Sequence, residues 1–306
     1  MASELSTVIG ELVEEKTITP TQEIICGGVA GLIADCFTHP FDTLRCRMQV
    51  LVGTQRRSLL ATLRSSISSE GMGVLYRGFG VVAVGTIPAH ALYFGGYEMT
   101  KRHLAQYIDT SSSFQVASSH FAAGLVAELG GALVWNPMDV VKQRVMVRDS
   151  ASGLVDYQSS LRGVRTVLQK EGLRGLYHGF GPALAVYGPF VGVYFTAYEE
   201  FKAAFARTLQ VDPSSLSSLV HLPCGFAAGG LAAALTCPLD VIKTRVQVAS
   251  RNPHGQSAWQ LAKDIHRNEG KGAFLKGISA RVLWIAPASA ITIASYELLK
   301  NLFVPS

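Results

Sequence analysis

Three copies of a short charged motif are the residues in this chain best suited to chemistry. Each copy starts at a proline, places an aspartate two residues later, and places an arginine or lysine three residues after the aspartate. At that spacing both charged side chains project from one face of a helix. The three pairs are Asp42 with Arg45, Asp139 with Lys142, and Asp240 with Lys243.

Each charged motif follows a long apolar run, where an ionic group is costly unless it pairs or faces water. Three pairs on three equivalent helices can close a ring, in which each acid meets the cation of its neighbour. The motif prolines, Pro40, Pro137 and Pro238, would bend the helices toward a common axis. A ring of this kind acts as a gate if it opens and closes. The alternative, ordinary ion pairing on helix surfaces, does not explain the triplication.

The rest of the chain repeats with the motif. The motif prolines are 97 and 101 residues apart, and the Glu-Gly pairs at positions 70, 171 and 269 are 101 and 98 residues apart. Each cycle has an apolar run, the motif, a short amphipathic segment, Glu-Gly, and a second apolar run that ends in Tyr-Glu-x-x-Lys. The pattern predicts an all-α membrane protein with six transmembrane helices in three tandem pseudo-symmetric repeats, at residues 20–107, 114–206 and 213–303, with short surface helices on one side.

The composition is typical of a membrane protein, with 48% hydrophobic and 16% charged residues. The net charge of +5 does not indicate a nucleic-acid partner, because the basic residues are spread among loops and form no known binding motif. The five cysteines have neither CxxC nor zinc spacing, so we expect no cofactor. Neither a nucleophile with its base nor a phosphate-cradling loop is present in the sequence, so we expect no enzymatic activity.

The distribution of positive charge predicts the topology. The loops inside the three repeats carry four, five and five lysines and arginines, whereas the opposite face carries about six in all. By the positive-inside rule, the loops inside the repeats share the inner compartment and both termini lie on the other side. The first twenty residues are acidic and resemble neither a signal peptide nor a transit peptide, so we expect an internal targeting signal.

These motifs, repeated over about 280 residues, resemble those of the mitochondrial carrier family. The resemblance implies a monomeric, multi-pass transporter of the mitochondrial inner membrane that works by alternating access, with its termini toward the intermembrane space and cardiolipin bound at the matrix surface helices. It implies that the six motif residues form a matrix gate braced by Gln49 and Gln247, with Met146 in place of a third brace. The implied cytoplasmic gate consists of Tyr97, Glu98, Lys101, Tyr198, Glu199, Lys202, Tyr296, Glu297 and Lys300.

The same resemblance assigns substrate contacts to uncharged positions. These positions are Gly85, Thr86, Val186, Tyr187 and Trp284. Carriers of nucleotides and carboxylates place an arginine at such positions, because a buried anion needs a fixed cation. The apolar runs of this chain offer Asp35 and Glu128 instead, so a cavity formed with Tyr187 and Trp284 would favour a cation or a zwitterion. Both acids are equally consistent with hydrogen bonding between helices.

A local segment is similar to mitoferrins, the iron carriers of this family. The segment is Pro-Ala-His-Ala-Leu-Tyr-Phe at residues 88–94, and His221 stands where mitoferrins carry a further histidine. Because imidazole is a natural ligand for Fe²⁺, His90 and His221 are candidate metal ligands as well as candidate packing residues. The mitoferrin histidine of the first helix is Asp35 here. A carboxylate or nucleotide carrier and a non-transporting adaptor or leak protein with the same fold remain alternatives.

Overall fold

A computed structural model describes residues 20–52, 58–107, 113–147, 159–210, 218–249 and 257–303. These residues form helices joined by short turns, without a strand among them. The described helices are α1 (Pro20–Val50), α2 (Leu59–Glu70), α3 (Phe79–Ala105), α4 (Ser113–Met146), α5 (Ser160–Glu171), α6 (Leu173–Leu176), α7 (Phe180–Leu209), α8 (Ser218–Leu235), α9 (Cys237–Val248), α10 (Ala258–Glu269) and α11 (Ile278–Phe303). Two 3₁₀ segments, Met72–Tyr76 and Lys271–Leu275, follow α2 and α10.

The long helices of the described residues form six rods in a closed circle, because α8 and α9 together make one rod. The rod α1 packs on α3, α3 on α4, α4 on α7, and α7 on α8 and α9. Helix α11 packs on α8 and returns to α1, which closes the circle. The predicted all-α, three-repeat membrane class is confirmed.

The rods have the length that a membrane span requires. In the described part of the chain, three segments are long and apolar enough to cross a membrane: Met72–Leu104, Leu173–Thr208 and Lys271–Lys300. The pair Leu222–Leu235 and Cys237–Val248, bent by 66°, is a fourth such segment if its two helices are counted as one span. Helices α1 and α4 have 31 and 34 residues and carry charged motifs in their second halves. At about 1.5 Å per residue, each is long enough for a hydrocarbon core of about 30 Å.

The bend in the third repeat has a local cause. The motif prolines of the first two repeats lie inside the continuous helices α1 and α4. In the third repeat the helix stops at Thr236 and restarts as α9, with Pro238 in its first turn. Proline suits a first turn because its missing N–H has no acceptor there.

The residue before each motif proline ties its rod to the same repeat's second half. His39 Nε2 donates to the carbonyl of Arg77 at 3.0 Å, and Asn136 Nδ2 donates to the carbonyl of Leu176 at 3.0 Å. Cys237 Sγ lies 4.0 Å from the carbonyl oxygen of Lys276. These contacts fix the start of each charged segment relative to the second half of its own repeat.

The short helices α2, α5 and α10 have the same caps in every repeat. Each is preceded by a serine whose hydroxyl accepts a backbone hydrogen bond, and each is followed by a glycine at positive φ. The serines are Ser58, Ser159 and Ser257, and the glycines are Gly71, Gly172 and Gly270. Each Glu-Gly pair therefore ends a surface helix, and its glutamate is the last residue of that helix.

Candidate gate and substrate cavity

A ring of three ion pairs joins α1, α4 and α9. Each aspartate of the charged motif contacts the cation of another repeat. The contacts are Lys142 Nζ to Asp42 Oδ2 at 3.1 Å, Lys243 Nζ to Asp139 Oδ2 at 2.7 Å, and Arg45 Nη1 to Asp240 Oδ2 at 2.5 Å. The six charges meet on the common axis of the rods, as the spacing of the motifs suggests.

The ring is mostly buried, and its most exposed pair is Asp139 with Lys243, whose side chains are 21% and 17% exposed. Asp42, Arg45 and Asp240 are 1%, 2% and 3% exposed. Removing one partner of such a buried pair leaves an uncompensated charge, which costs about 3–5 kcal/mol. The three repeats are therefore joined to one another by largely buried ion pairs.

Two of the ring cations also bind the acid of their own repeat. Arg45 Nε and Nη2 both lie 2.8 Å from Asp42 Oδ1, and Lys142 Nζ lies 3.3 Å from Asp139 Oδ1. Among the described residues, Lys243 makes no equivalent ion pair with Asp240.

The own-repeat cation of Asp240 is instead an arginine that the sequence patterns did not indicate. Arg281, on α11, donates to the carboxylate of Asp240. Its other contacts are Nε to the carbonyl of Ala233 at 3.0 Å and Nη2 to Thr236 Oγ1 at 2.9 Å. The signal in the sequence is a cation four residues after Gly277, where the other repeats have uncharged residues.

The three predicted brace positions differ from one another. Gln49 Nε2 donates to Asp240 Oδ2 at 2.8 Å, and Gln49 Oε1 accepts from Arg45 at 3.3 Å, so Gln49 contacts both members of a ring pair. Gln247 Nε2 donates instead to Asn136 Oδ1 at 3.1 Å, away from the pair that it was expected to brace. Met146 is fully buried in an apolar cluster.

A second set of ion pairs surrounds the ring, and its arginines were not among the predicted site residues. An arginine five residues after each motif aspartate binds the glutamate of the Glu-Gly pair. The pairs are Arg47 with Glu70 at 2.6 Å, Arg144 with Glu171 at 2.7 Å, and Arg245 Nη2 with Glu269 at 2.9 Å. Each Nε donates to a carbonyl of another repeat, at Met146, Gln247 and Gln49 respectively. Constant spacing in all three repeats was the signal that could have identified them.

This outer set differs among repeats in its second cation. Arg77 donates to Glu70, and Lys276 Nζ lies 2.5 Å from Glu269 Oε2. Burial alone would raise the pKa of Glu269, but hydrogen bonds from Arg245 and Lys276 outweigh it and lower the pKa to about 2. The equivalent residue of the second repeat is His178, so this repeat has an imidazole in place of a permanent cation.

Trp284, predicted as a substrate contact, lies against the ring. Its indole faces the guanidinium carbon of Arg45 at 4.8 Å and Nζ of Lys142 at 5.6 Å, measured to the ring centroid. Such cation–π contacts stabilise a desolvated cation. In this closed arrangement Trp284 covers two of the three ring cations.

A cavity of about 430 Å³ borders the ring. Its lining comes from α3, α4, α7 and α9 and includes two ring residues, Asp139 and Lys243. Three of the predicted substrate residues line it: His90, Glu128 and Tyr187. Tyr187 hydrogen-bonds to the carboxylate of Glu128, which has no ion-pair partner among the described residues. The cavity therefore combines the carboxylate of Glu128, an imidazole and aromatic rings next to the ring pair of Asp139 and Lys243.

The other predicted substrate residues do not line this cavity. Gly85 packs so closely on Met138 that an added Cβ would lie 2.0 Å from the sulfur. Thr86 is buried, with its hydroxyl donating to the carbonyl of Val82 at 2.7 Å, and Val186 is 7% exposed. Asp35 is half-buried, close enough to the ring to interact electrostatically with Lys142.

The candidate metal ligands show no metal geometry in the described part of the chain. Within that part, no three His, Cys, Asp or Glu side chains converge on a point that could hold an ion. His90 Nδ1 donates to the carbonyl of Thr86 at 2.8 Å, and its ring packs edge-on to Trp135 at 5.5 Å. The side chain of His221 lies outside the described residues.

The predicted cytoplasmic gate is only partly described, because the side chains of Glu98 and Glu297 are not. Lys202 Nζ lies 3.6 Å from Glu199 Oε2 on the same helix, and Lys101 lies over the ring of Tyr97 at 5.9 Å. Both contacts are within one helix. A second ring at this end stays a prediction.

Comparison with known proteins agrees with this geometry. The family described as mitochondrial carrier protein matches residues 16–108, 115–209 and 214–306. "Mitochondrial substrate carrier family protein E" of Dictyostelium discoideum is 44% identical, covering 95% of this chain and 98% of that protein. "Mitochondrial citrate transporter C" of Aspergillus niger is 35% identical (94% and 92% covered), and human "Mitoferrin-2" is 33% identical (93% and 78% covered). This chain belongs to the mitochondrial carrier protein family, whose members are transporters of small molecules or ions.

Proposed function

We propose that this chain transports a cationic or zwitterionic solute across the mitochondrial inner membrane, and that the cavity beside Glu128 binds it. The observation that carries the proposal is that the cavity and the ring share residues. Asp139 and Lys243 line the cavity and also form one of the three ring pairs. A solute in the cavity therefore lies directly on a closed gate.

Alternating access follows from the two states that such a ring permits. When the ring is closed, buried ion pairs and Trp284 block passage between the rods. When the three pairs between repeats separate, the cavity opens on the side of the surface helices. The far ends of the rods, with their Tyr-Glu-x-x-Lys segments, would close in that state to prevent a leak.

The lining of the cavity supports the substrate class. Glu128 supplies a carboxylate without a cationic partner among the described residues, and no arginine is among the lining residues of this cavity. Tyr93, Trp135 and Tyr187 supply aromatic surface, which favours a positive group. A buried carboxylate in an apolar surrounding is most stable when a cation neutralises it.

The orientation proposed here puts the ring and the surface helices on the matrix side. The basic loops inside the repeats support it through the positive-inside rule, and they put both termini toward the intermembrane space. The capped surface helices α2, α5 and α10 are then available to cardiolipin headgroups, and α5, with Arg162, Arg165 and Lys170, is the most basic of the three. One chain closes the circle of rods by itself, which supports a monomer.

Uptake into proteoliposomes tests the proposal. Labelled arginine, choline, ferrous ion, citrate and ADP are offered to vesicles preloaded with the same compound. We expect exchange of arginine or choline, and at least a tenfold loss in Glu128→Gln. Glu200→Gln, which removes an exposed carboxylate outside the cavity, is the matched control and keeps the rate. Exchange confined to citrate or ADP would contradict the substrate class.

A carboxylate carrier is the second candidate, because Lys243 lines the cavity and one relative is named a citrate transporter. In that case citrate exchanges and Lys243→Met abolishes the exchange, whereas Glu128→Gln does not. A non-transporting adaptor is less consistent with the chain, because all six ring charges are present and paired. Vesicles that exchange none of the five compounds and none of the other nineteen α-amino acids would favour the adaptor.

A further inference from the structure

The third repeat breaks the symmetry of the ring. In the first two repeats the motif cation binds its own acid as well as a neighbour's, through Arg45 with Asp42 and Lys142 with Asp139. In the third repeat, the own-repeat cation that binds Asp240 is Arg281 from α11.

Arg281 has no counterpart in the other repeats. It follows Gly277 by four residues, and the residues four after Gly78 and Gly179 are Val82 and Ala183. Arg281 is 3% exposed and bound by the carbonyl of Ala233 and the hydroxyl of Thr236, at the break between α8 and α9. The arginine is therefore fixed beside Asp240 by groups that lie outside the ring.

The consequence concerns Lys243. With Asp240 neutralised by Arg45 and Arg281, Lys243 binds Asp139 and also lines the cavity. Lys142, in contrast, contacts two ring acids and is not among the residues that line the cavity. Of the three ring cations, Lys243 is thus the one that a solute in the cavity reaches.

We propose that the substrate is a zwitterion, an α-amino acid or a close derivative, whose carboxylate draws Lys243 away from Asp139 while Glu128 binds its ammonium group. This inference rests on the proposed transport function and narrows its substrate class. Binding then weakens one corner of the ring, so that loading and gate opening are the same event. Arg281 is a positioning residue. Because Arg281 neutralises Asp240, Lys243 does not bind Asp240 and stays available to the solute in the cavity.

The geometry also gives the order in which the ring opens. The corner between α4 and α9 loses its cation to the substrate, whereas the other two corners keep pairs whose own residues do not line the cavity. Asp139 does not become an unpaired buried charge, because Lys142 lies 3.3 Å from its other oxygen. The α4–α9 corner opens first.

Ligand-dependent thermal stability of the purified full chain tests the inference, because specific binding raises apparent stability with the logarithm of ligand excess. The twenty α-amino acids are screened, and the strongest stabiliser is then compared with its methyl ester and its N-acetyl derivative. We expect the free amino acid to bind at least tenfold more tightly than either derivative, each of which lacks one charge.

Variants assign the effect to residues. Lys243→Met is expected to weaken amino-acid binding at least tenfold, and Lys263→Met, which removes an exposed lysine of α10 outside the ring and the cavity, less than threefold. Arg281→Met should weaken binding by drawing Lys243 to Asp240, and Arg281→Lys should restore it. Because each variant is compared with itself in the presence and absence of the amino acid, a general loss of stability does not produce this pattern.

The outcomes separate this inference from the transport proposal. If the methyl ester or choline binds as well as any amino acid, the zwitterion inference is overturned and the cationic class stands. If only citrate or ADP stabilises the protein, both are overturned. Equal binding by Lys243→Met and the unaltered chain, or stabilisation by none of the twenty amino acids, also overturns the inference.

Discussion

Arg281 and Arg45 both bind Oδ2 of Asp240, Arg281 from the same repeat and Arg45 from another. Asp42 and Asp139 also have one cation of each kind, with Arg45 and Lys142 as own-repeat partners, but there the two cations bind different carboxylate oxygens. Each acid therefore keeps a cation of its own repeat when the pairs between repeats break. A buried carboxylate left alone would be far more costly, so this double pairing makes opening of the ring feasible.

The ring pairs should be energetically coupled. Asp42→Asn or Lys142→Met alone should destabilise the closed protein by about 1–3 kcal/mol, because each removes charge-assisted hydrogen bonds from the buried ring while the remaining charges keep their other partners. The double variant should cost at least about 1 kcal/mol less than the two single changes together. Thermal unfolding in mild detergent, analysed as a double-mutant cycle, measures this coupling.

Glu199 and Lys202 provide the control for that cycle. They form a pair on one helix at 3.6 Å, with the glutamate side chain 64% exposed. Their coupling should be only about 0.3–0.5 kcal/mol, as for other exposed pairs on a helix. Equal coupling energies in the two cycles would contradict the claim that the buried ring pairs are more strongly coupled than an exposed pair on one helix.

Gly179→Ala should destabilise the protein by about 1–3 kcal/mol. Gly179 has φ 78°, and an added Cβ would lie 2.7 Å from Gln247 Cγ of the next repeat. Gly181→Ala is the control, because a Cβ added there would have no atom within 4 Å and its φ is not positive. A smaller loss in Gly179→Ala than in Gly181→Ala would contradict the proposed contact.

His178→Arg should stabilise the protein by about 0.5–1 kcal/mol at neutral pH. The equivalent residues Arg77 and Lys276 both bind the glutamate of the Glu-Gly pair, so an arginine here should reach Glu171. His103→Arg, at an exposed histidine on α3, adds the same charge away from this pair and serves as the control. Melting temperatures of the three proteins measure the effect, and an equal change in both variants would rule out a specific pair with Glu171.

Glu269 should make the protein sensitive to acid. Its folded pKa of about 2 lies below the ordinary value of 4.5, so its contribution is complete above pH 4.5 and is lost as the pH falls toward 2. Glu269→Gln should cost about 2 kcal/mol at neutral pH and should flatten this part of the stability profile. Unfolding measured across this pH range in both proteins tests the expectation, and an unchanged acid profile in the variant would assign the sensitivity to other groups.

The repeat spacing predicted which six charges pair between repeats, because three equal motifs on equivalent helices leave few ways to neutralise six buried charges. The role of these pairs as a gate stays a prediction. It did not reveal Arg281, since a single arginine in one repeat has no periodicity. The sequence also did not predict the hydrogen-bond partner of Gln247, because Asn136 comes from another repeat and its position depends on how the rods pack.

The cavity was predicted less well than the ring. Glu128, Tyr187 and His90 line it, yet Trp284 stacks on ring cations and Thr86 bonds within its own helix. When a residue matches one of the family's substrate-contact positions, the match predicts how far along its rod the residue lies. Its side-chain direction depends on the rotation of that rod against its neighbours, which a single sequence does not contain.

The most direct test of the gate is the rate at which a membrane-impermeant thiol reagent labels Cys46. Cys46 is fully buried on α1, with its sulfur 3.9 Å from the carbonyl of Gln143 on α4, so it is shielded only while the ring is closed. Cys26, also fully buried, lies on the same helix about 30 Å away and reports general unfolding. In single-cysteine proteins carrying Asp42→Asn and Lys142→Met, the account predicts at least tenfold faster labelling of Cys46 and unchanged labelling of Cys26. Equal acceleration at both cysteines, or none at Cys46, would contradict the claim that the ion-pair ring is the gate.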